Sequence, residues 1–345
     1  MSLGYVRIAN EHTLYVRRLE NEFTIVSLYV NDLLIMGSSS TQLNDFKSAM
    51  HKEFEMTDQG EMSYFLGMEI HQSHDGIFVN QKRYATEILH KFNMDKCKSV
   101  DTPLAMNLKL SKDDEAEKVD ETMYRSIIGC LLYLTATRPD LMFTTSVLSR
   151  FMSNPSEIHL KAAKRVLRYV KGSAELGIWF KKAKKLQLVS YSDSDWAGCI
   201  DDMRSTSGYV FFLNSRAICW HSKKQDTTVQ SMAEVEYISA AAAVNQAIWL
   251  RKVMLDLRQI QEEPTMIFCD NQLAVAMAKN PILHDRTKHI KIKFHAVREA
   301  ESNAEVKLIH CRGEDQLADI MTKGLPKTKV ESLRLRLGVS SKLIK

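Results

Sequence analysis

Four acidic residues in the C-terminal half of the chain have the type and placement that two-metal hydrolysis of a phosphodiester requires. Each lies at the end of a predicted strand or within a predicted helix, and they are Asp193, Glu234, Asp270 and Asp319. Mg²⁺ or Mn²⁺ ions about 4 Å apart need several oxygen ligands whose negative charge offsets that of the ions. A single acid in such a position is often an N-cap or complements the helix dipole. The order of all four along the chain is what favours a catalytic site.

Two neighbouring acids offer alternative assignments. Asp193 and Asp195 would face the same side of a strand, and Asp193 is preferred because it lies where the apolar run ends. Glu234 and Glu236 are about 200° apart on a helix, so only one of them can face the site. The residues alone leave the choice between these two glutamates open.

Strand and helix patterns alternate around these acids. The predicted strands are 186–193, 207–213, 217–221, 266–270 and 306–311, and the predicted helices are 232–257, 271–279, 289–302 and 314–323. Strands followed by alternating helices and strands predict a mixed sheet with helices packed on it, an α/β (α+β) fold.

The N-terminal half has a different organisation. The run FTIVSLYVNDLLIMG (23–37) predicts a hairpin with the polar pair Asn31-Asp32 at its tip. Residues 38–41 supply candidate caps for the helix that follows, another helix is predicted at 83–92, and a compact helical unit is predicted from segments 124–137, 139–152 and 157–170. A lysine-rich break at 181–185 places the domain boundary near residue 180, between domains 1–180 and 181–345.

Composition excludes several classes of protein. The 345 residues are enough for about two domains, and the formal charge is +5 with basic clusters at 181–185, 286–293 and 323–345. Such clusters fit a polyanionic partner better than a membrane, although a solvated basic surface is the alternative. The six cysteines lack CxxC pairs, which indicates a reducing compartment. No signal-peptide pattern and no apolar run of about 20 residues are present, so we expect an intracellular protein, cytoplasmic or nuclear.

Residues 186–326 resemble the ribonuclease H domain of copia-type retrotransposons. The motifs that carry the resemblance are YSDSDWAG (191–198), RSTSGYVFFL (204–213), WHSKKQ (220–225), AEVEY (233–237), WLRKVM (249–254), FCDNQLAVAMAKNP (268–281), RTKHI (286–290) and EDQLADIMTKGLP (314–326). The resemblance implies a five-stranded mixed sheet flanked by helices. It also assigns Asp193, Asp270 and Asp319 as catalytic metal ligands, and its pattern favours Glu234 as the fourth.

The resemblance implies hydrolysis of the RNA strand of an RNA–DNA hybrid with two Mg²⁺ or Mn²⁺ ions. RNA would be selected through its 2′-hydroxyl groups and bound without sequence specificity. The candidate nucleic-acid contacts are Arg204, Ser205, Thr206, Arg286 and Lys288. For the two hydroxyl residues, a role in a turn or a strand start is the alternative.

The N-terminal half resembles the reverse transcriptase of the same elements, from the later part of the palm into the helical thumb or connection. The motifs are EHTLYV (11–16), SLYVNDLLIMG (27–37), YFLGMEI (64–70), YRSIIGCLLYLTATRPDL (124–141) and SRFMSNPSEIHLKAAKRVLRYVKG (149–172). Tyr29, Asn31 and Asp32 match the polymerase hairpin, where the family has two aspartates. The segment with an earlier metal aspartate is expected to be missing, so we expect an inactive polymerase remnant.

Three hypotheses about the function of the whole chain are possible. The leading hypothesis is a ribonuclease of RNA–DNA hybrids with a vestigial polymerase domain. A second is a decayed element product that at most binds nucleic acid, and a third is a fragment of a longer polyprotein that polymerises only within it. Integrases share the sheet and the acidic chemistry, but the motifs in 186–326 are of the ribonuclease type.

Overall fold

The computed structural model describes residues 3–19, 22–229, 231–279 and 291–342. The chain forms two compact units. The first contains Met1–Met62 and Gln246–Glu262, and the second contains Ser63–Asn245 and Glu263–Lys345. These units do not follow the boundary that we expected near residue 180. A division of the chain there into polymerase-like and nuclease-like segments stays a prediction.

The first unit is built on a four-stranded antiparallel sheet in the order β1-β2-β3-β4. Its elements are β1 (Val6–Arg7), β2 (Leu14–Leu19), β3 (Glu22–Tyr29), β4 (Asp32–Gly37) and α1 (Ser40–Glu53). Thr24 and Val26, two residues apart on β3, are both buried, as the strand period requires. Phe46 of α1 packs its ring 5.2 Å from the ring of Tyr5. The helix therefore covers part of one face of the sheet.

The hairpin expected around Asn31 and Asp32 is confirmed. Tyr29 of β3 pairs with Asp32 of β4, so that Val30 and Asn31 form the connection. Val30 has a φ of 51°, a left-handed conformation that a β-branched residue rarely adopts. Two-residue hairpin loops require positive φ because it matches the twist of the strands.

The second unit begins with a small sheet and the predicted helical unit. In chain order the elements are β5 (Tyr64–Phe65), β6 (Met68–Ser73), β7 (Gly76–Asn80), α2 (Lys82–Lys91), α3 (Glu121–Leu134), α4 (Met142–Ser149), α5 (Glu157–Lys171) and β8 (Leu176–Lys181). Tyr124, Leu131, Leu148 and Val166 are fully buried in one core cluster. Each of the three aliphatic side chains among them contributes on the order of 2 kcal/mol by leaving water. The three helical segments expected between 124 and 170 are confirmed.

The rest of the second unit contains the predicted five-stranded sheet. The elements are β9 (Leu188–Ser194), β10 (Thr206–Leu213), β11 (Arg216–Lys224), α6 (Met232–Asp256), β12 (Thr265–Cys269), α7 (Gln272–Lys279), α8 (Lys291–Ser302), β13 (Val306–His310), α9 (Lys327–Arg336) and β14 (Val339–Ser341). Of α6, residues 232–245 belong to this unit and residues 246–256 to the first. The strand order is β11-β10-β9-β12-β13. β9, β10 and β11 pair antiparallel, whereas β12 pairs parallel with both β9 and β13. The expected mixed sheet with helices is confirmed.

The helix predicted at 314–323 is wrong. The segment forms two short 3₁₀ turns, Gly313–Asp315 and Leu317–Met321, with Gln316 between them. Gln316 has extended backbone angles, and its side-chain oxygen accepts a hydrogen bond from the backbone N–H of Ala318. A side chain that bonds to nearby backbone competes with continuous helix in this way.

The last strand joins a sheet whose other strands come from the N-terminal half. β14 pairs antiparallel with β8, and the strand order of this sheet is β14-β8-β7-β6-β5. Leu333 and Leu337 next to it are buried with Phe212 of the five-stranded sheet in one cluster. This shared packing places residues on both sides of position 180 in one compact unit.

In the part of the chain that the structure describes, none of the helices has both the length and the apolar character needed to cross a membrane. All six cysteines are free thiols.

A buried ion pair connects several segments of the helical core. Arg138 donates to both carboxylate oxygens of Asp140, at 2.9 and 2.7 Å, and to the carbonyl oxygen of Ser173 at 2.8 Å. Tyr169 of α5 also donates to Asp140, at 2.7 Å. Burial alone raises the pKa of Asp140, but the Arg138 guanidinium outweighs it and lowers that pKa. The charges are therefore compensated within the core.

Removing only the arginine leaves the Asp140 carboxylate without its hydrogen-bonded counter-charge. We expect Arg138→Met to lower the free energy of unfolding by about 3–5 kcal/mol, because a buried charge has lost its partner. Urea denaturation at pH 7 measures this. The double variant Arg138→Met/Asp140→Leu should recover most of the loss, and a single variant as stable as the wild type would contradict the prediction.

Candidate active site

Asp193 lies at the centre of the candidate site. It is in β9, which has β10 on one side and β12 on the other, and its side chain is fully buried. Burial raises the pKa of Asp193 to about 7, and the negative charges of Asp319 and Asp270 act in the same direction. The hydroxyl of Thr322 donates a hydrogen bond to Asp193 Oδ2. The carboxylate is thus held rigidly in a position that disfavours its charged form.

The structure brings Glu236, not Glu234, to Asp193. Glu236 is buried, and its Oε1 accepts a hydrogen bond of 3.2 Å from the backbone N–H of Ser194, next to Asp193. Burial raises the pKa of Glu236 to about 9, with the charges of Asp193 and Asp270 as further causes. Glu234 is half-exposed at the first turn of α6. The expectation that Glu234 faces the site is therefore corrected, since the two side chains diverge around the helix.

Asp270 completes one side of the cluster. Among the described residues, ligand atoms of Glu236, Cys269 and Asp270 all lie within 4.8 Å of one another. Cys269 is the last residue of β12 and is fully buried. Burial raises the pKa of its thiol well above the ordinary value, so that Cys269 is a neutral thiol at neutral pH. The carboxyl oxygens of this group come from Glu236 and Asp270.

Asp319 is linked to Asp193 by Lys323 and also contacts Lys329. Lys323 Nζ lies 2.8 Å from Asp319 Oδ1 and 3.2 Å from Asp193 Oδ2. Lys329 Nζ lies 3.3 Å from Asp319 Oδ2. Burial by itself lowers the pKa of Lys323, but the charges of Asp193 and Asp319 outweigh it and leave that pKa raised. The Lys323 ammonium thus remains charged between two carboxylates.

Three buried polar side chains position these acids. Gln316 donates to the carbonyl oxygen of Ser192 at 2.9 Å, which fixes the turn before Asp319 to β9. Ser239 of α6 donates to the carbonyl oxygen of Asp193 at 2.7 Å. Gln225 donates to the carbonyl oxygen of Val235 at 3.1 Å and to Ser207 Oγ at 2.8 Å. These bonds hold the start of α6 and the Asp319 turn against the sheet.

Gly208 lets the Asp319 turn approach the sheet. It lies opposite Asp193 in the β9–β10 pair, and a Cβ atom there would lie 2.5 Å from Met321 Cβ and 2.8 Å from Thr322 Cγ2. Contacts this short cannot be accommodated without displacing the turn. The missing side chain at residue 208 is therefore part of the geometry of the site.

Asp195 contacts other groups than Asp193 does. Its carboxylate accepts a hydrogen bond from the backbone N–H of Thr206, and burial raises its pKa to about 6. A Cβ atom at Gly198 would meet Asp195 Oδ2 at 1.9 Å, so the loop after β9 closes tightly over this side chain. The preference for Asp193 over Asp195 as a metal ligand stays a prediction.

Comparisons with known proteins identify the lineage of the chain. A family model described as reverse transcriptase (RNA-dependent DNA polymerase) matches residues 1–106. The Retrovirus-related Pol polyprotein from transposon RE1 of Arabidopsis thaliana is 37% identical over 340 residues, which cover 99% of this chain and 23% of that protein. An uncharacterized mitochondrial protein of the same plant is 40% identical over 222 residues, which cover 64% of this chain and 92% of that protein. This chain contains a segment of the reverse transcriptase family and is homologous to retrotransposon Pol polyproteins over nearly its whole length.

The Pol relationship confirms the family resemblance inferred from the motifs. The chain spans 23% of the length of the RE1 polyprotein that it matches. Among solved structures, LC11-RNase H1 in complex with an RNA/DNA hybrid is similar over 39% of this chain and 94% of that chain, with 12% identity and a TM-score of 0.31.

The residues that were expected to contact nucleic acid differ in how far they are exposed to solvent. Ser205 and Thr206 are buried, and their hydroxyl oxygens accept hydrogen bonds from the Ala197 backbone N–H and from Arg150, both at 3.0 Å. This corrects the expectation that they contact nucleic acid, because the Ser205 hydroxyl binds the loop after β9 and the Thr206 hydroxyl binds Arg150. Arg204 is half-exposed, with its Nε 3.6 Å from Asp202 Oδ2. Arg286 and Lys288 lie outside the described residues.

The polymerase hairpin of the Pol chain is in the first unit. Tyr29, Asn31 and Asp32 are all exposed at or beside the turn. The hairpin therefore presents one carboxylate and one amide to solvent.

The donor set of the candidate site fits a hard divalent cation. Carboxylate oxygens are the ligands that Mg²⁺ and Mn²⁺ prefer, whereas a neutral thiol such as Cys269 is a soft and poor ligand for them. The raised pKa values of Asp193 and Glu236 show that their negative charges are poorly compensated by the protein. A bound cation would supply the missing positive charge.

The same pKa values predict how metal-free stability depends on pH. Glu236 titrates near pH 4.5 when unfolded and at about 9 when folded, so the folded state holds a proton that the unfolded state releases. The stability that this proton contributes is therefore fully present below the lower value and is lost as pH rises toward 9. We expect Glu236→Gln to flatten this loss and to be more stable than wild type at pH 8.

Urea denaturation in EDTA from pH 5 to pH 9 measures the effect. Glu234→Gln is the matched control, and it should follow the wild-type pH dependence. A Glu236→Gln variant that loses stability with pH as steeply as wild type would contradict the burial of a protonated Glu236.

Proposed function

We propose that this Pol chain is a ribonuclease that cleaves the RNA strand of RNA–DNA hybrids with two divalent cations, Mg²⁺ or Mn²⁺. The observation that carries the proposal is the convergence of four carboxylates at one place on the five-stranded sheet. They are Asp193, Glu236, Asp270 and Asp319. The motifs of residues 186–326 support the choice of substrate.

The residues of the site have different proposed roles. Asp193 is held by Thr322, so its carboxylate would stay in place as a cation ligand. Glu236 and Asp270 offer carboxylate oxygens on one side of it, and Asp319 offers them on the other. Bound cations supply a water of lowered pKa and stabilise the charge on the leaving 3′ oxygen. The rigid sheet and the buried hydrogen bonds keep the acids in a geometry that needs little reorganisation.

Recognition of the hybrid is proposed to depend on its shape and backbone. Contacts to 2′-hydroxyl groups distinguish RNA from DNA, and cationic side chains bind phosphates without reading sequence. Arg204 remains a candidate for such a phosphate contact because its side chain is accessible. Arg286 and Lys288 remain candidates from the sequence.

The polymerase segment is proposed to be inactive. Two-metal polymerisation needs paired aspartates at the hairpin tip, because two divalent cations require balancing negative charge. Asn31 offers an amide oxygen without charge beside Asp32. The remaining aspartate cannot balance both ions.

Hybrid cleavage tests the proposal directly. The purified chain should cut the labelled RNA strand of an RNA–DNA hybrid with Mg²⁺ or Mn²⁺. Asp270→Asn and Glu236→Gln should each lower the rate by about 100-fold or more, the order expected when a preorganised charged group is lost. Glu234→Gln should cleave like wild type.

The outcomes separate the competing readings. If folded wild-type protein binds the hybrid but cuts nothing, the chain is a non-catalytic element product. If Glu234→Gln abolishes cleavage and Glu236→Gln does not, the geometric assignment of the glutamate is wrong.

Primer extension tests the polymerase remnant. We expect no extension of a DNA primer on an RNA template by the wild-type chain, because Asn31 leaves the hairpin with one carboxylate. Extension that exceeds a no-protein control would contradict this. Activity that appears only with Asn31→Asp would locate the defect at this residue.

A further inference from the structure

Lys323 makes contacts that are unusual for a lysine near a cation-binding site. Its Nζ lies 3.3 Å from Asp193 Oδ1, 3.2 Å from Asp193 Oδ2 and 2.8 Å from Asp319 Oδ1. One ammonium group thus contacts both oxygens of the buried central carboxylate and an oxygen of a second acid. The first of these acids is fully buried, so this is more than a pair on a solvated surface.

The position of Lys323 is fixed by the backbone. Its N–H donates to the carbonyl oxygen of Asp319 at 3.0 Å, which places the two side chains four residues apart on one turn. Gly208 allows this turn to lie against β9 beside Asp193. The same tight packing that brings Asp319 to the site therefore brings the ammonium with it.

A divalent cation and this ammonium need the same oxygens. Mg²⁺ binds carboxylate oxygens at 2.0–2.1 Å. Lys323 already donates hydrogen bonds to the carboxylate oxygens of Asp193 and Asp319. Two cations that share one carboxylate pair at this range repel each other strongly where water is excluded. Glu236 and Asp270 form the other side of the cluster, and the Lys323 hydrogen bonds are to Asp193 and Asp319 instead. The two sides of the site are therefore unequal.

We propose that Lys323 is a built-in cation that occupies the Asp193–Asp319 side of the site, so that a second divalent cation binds there only when Lys323 gives up its contacts. The inference rests on the proposed function, because it assumes a site for divalent cations. The Lys323 side chain is 39% exposed, so it can turn into solvent without disturbing the core. The chain should then bind one divalent cation tightly and a second one weakly.

Binding of Mn²⁺ to the hybrid-free protein tests the inference, with free Mn²⁺ measured by electron paramagnetic resonance. Wild type should show one tight and one weak site. Lys323→Gln should strengthen the weak site by about tenfold, a typical size for the coupling between two binding events. Lys323→Arg keeps the positive charge and should resemble wild type. Lys327→Gln is the matched control, because Lys327 pairs with Asp101 at 3.2 Å instead of with the site acids.

Thermal unfolding with and without Mn²⁺ gives a second readout. Loss of the ammonium should lower the melting temperature of the metal-free Lys323→Gln variant, and saturating Mn²⁺ should raise it by more than it raises that of wild type. A variant destabilised equally with and without Mn²⁺ would make Lys323 a purely structural residue and overturn the inference.

The result also separates the inference from the proposed function. If wild type cuts the hybrid and Lys323→Gln gives the wild-type Mn²⁺ isotherm, the inference fails and the ribonuclease proposal stands. If wild type binds no Mn²⁺ and cuts no hybrid, both fail.

Discussion

The structure of the second unit depends on holding several carboxylates together out of water. Each of them loses hydration, and each is repelled by the others, which is why the pKa values of Asp193 and Glu236 rise to about 7 and about 9. A loosely packed site would relax by moving the acids apart. Buried hydrogen bonds from Thr322, Ser239 and Gln316 prevent this. The stability of the surrounding fold therefore maintains an arrangement that is unfavourable by itself.

Periodicity and motif order predicted most of the fold. The hairpin around Asn31, the helices α3 to α5 and the mixed sheet with its helices follow strand and helix patterns that depend on local sequence. The 3₁₀ turns before Lys323 were missed because a buried Gln316 replaces helical hydrogen bonding with a side-chain bond. β14 was missed because three residues are too few to show alternation. Long-range pairing, which local patterns do not encode, decided both the position of β14 and the division into units.

The candidate site contains residues of the types that the sequence predicted, but not every residue is the one that was expected. Asp193 and Asp270 lie where strand ends were expected, whereas the choice between Glu234 and Glu236 was reversed by the structure. Residues 235–241 of α6 are all buried, so hydrophobic periodicity could not show which glutamate faces the sheet. The available signal was small-residue spacing, since Ala240, Ala243 and Ala247 repeat on the face of Glu236 and allow close approach. Lys323 gave no sequence signal, because a lysine in a basic segment looks like solvated surface.

The pairing of β14 with β8 has a consequence for the order in which the protein acquires its structure during synthesis. β8 has β7 on one side from an early stage, but its other side stays an open edge until Ser341 has left the ribosome. Open strand edges are templates for pairing with other chains. Contacts between distant parts of a sequence also form slowly. The nascent chain thus passes through a stage in which intermolecular association competes with completion of its own sheet, and the three residues of β14 end that stage.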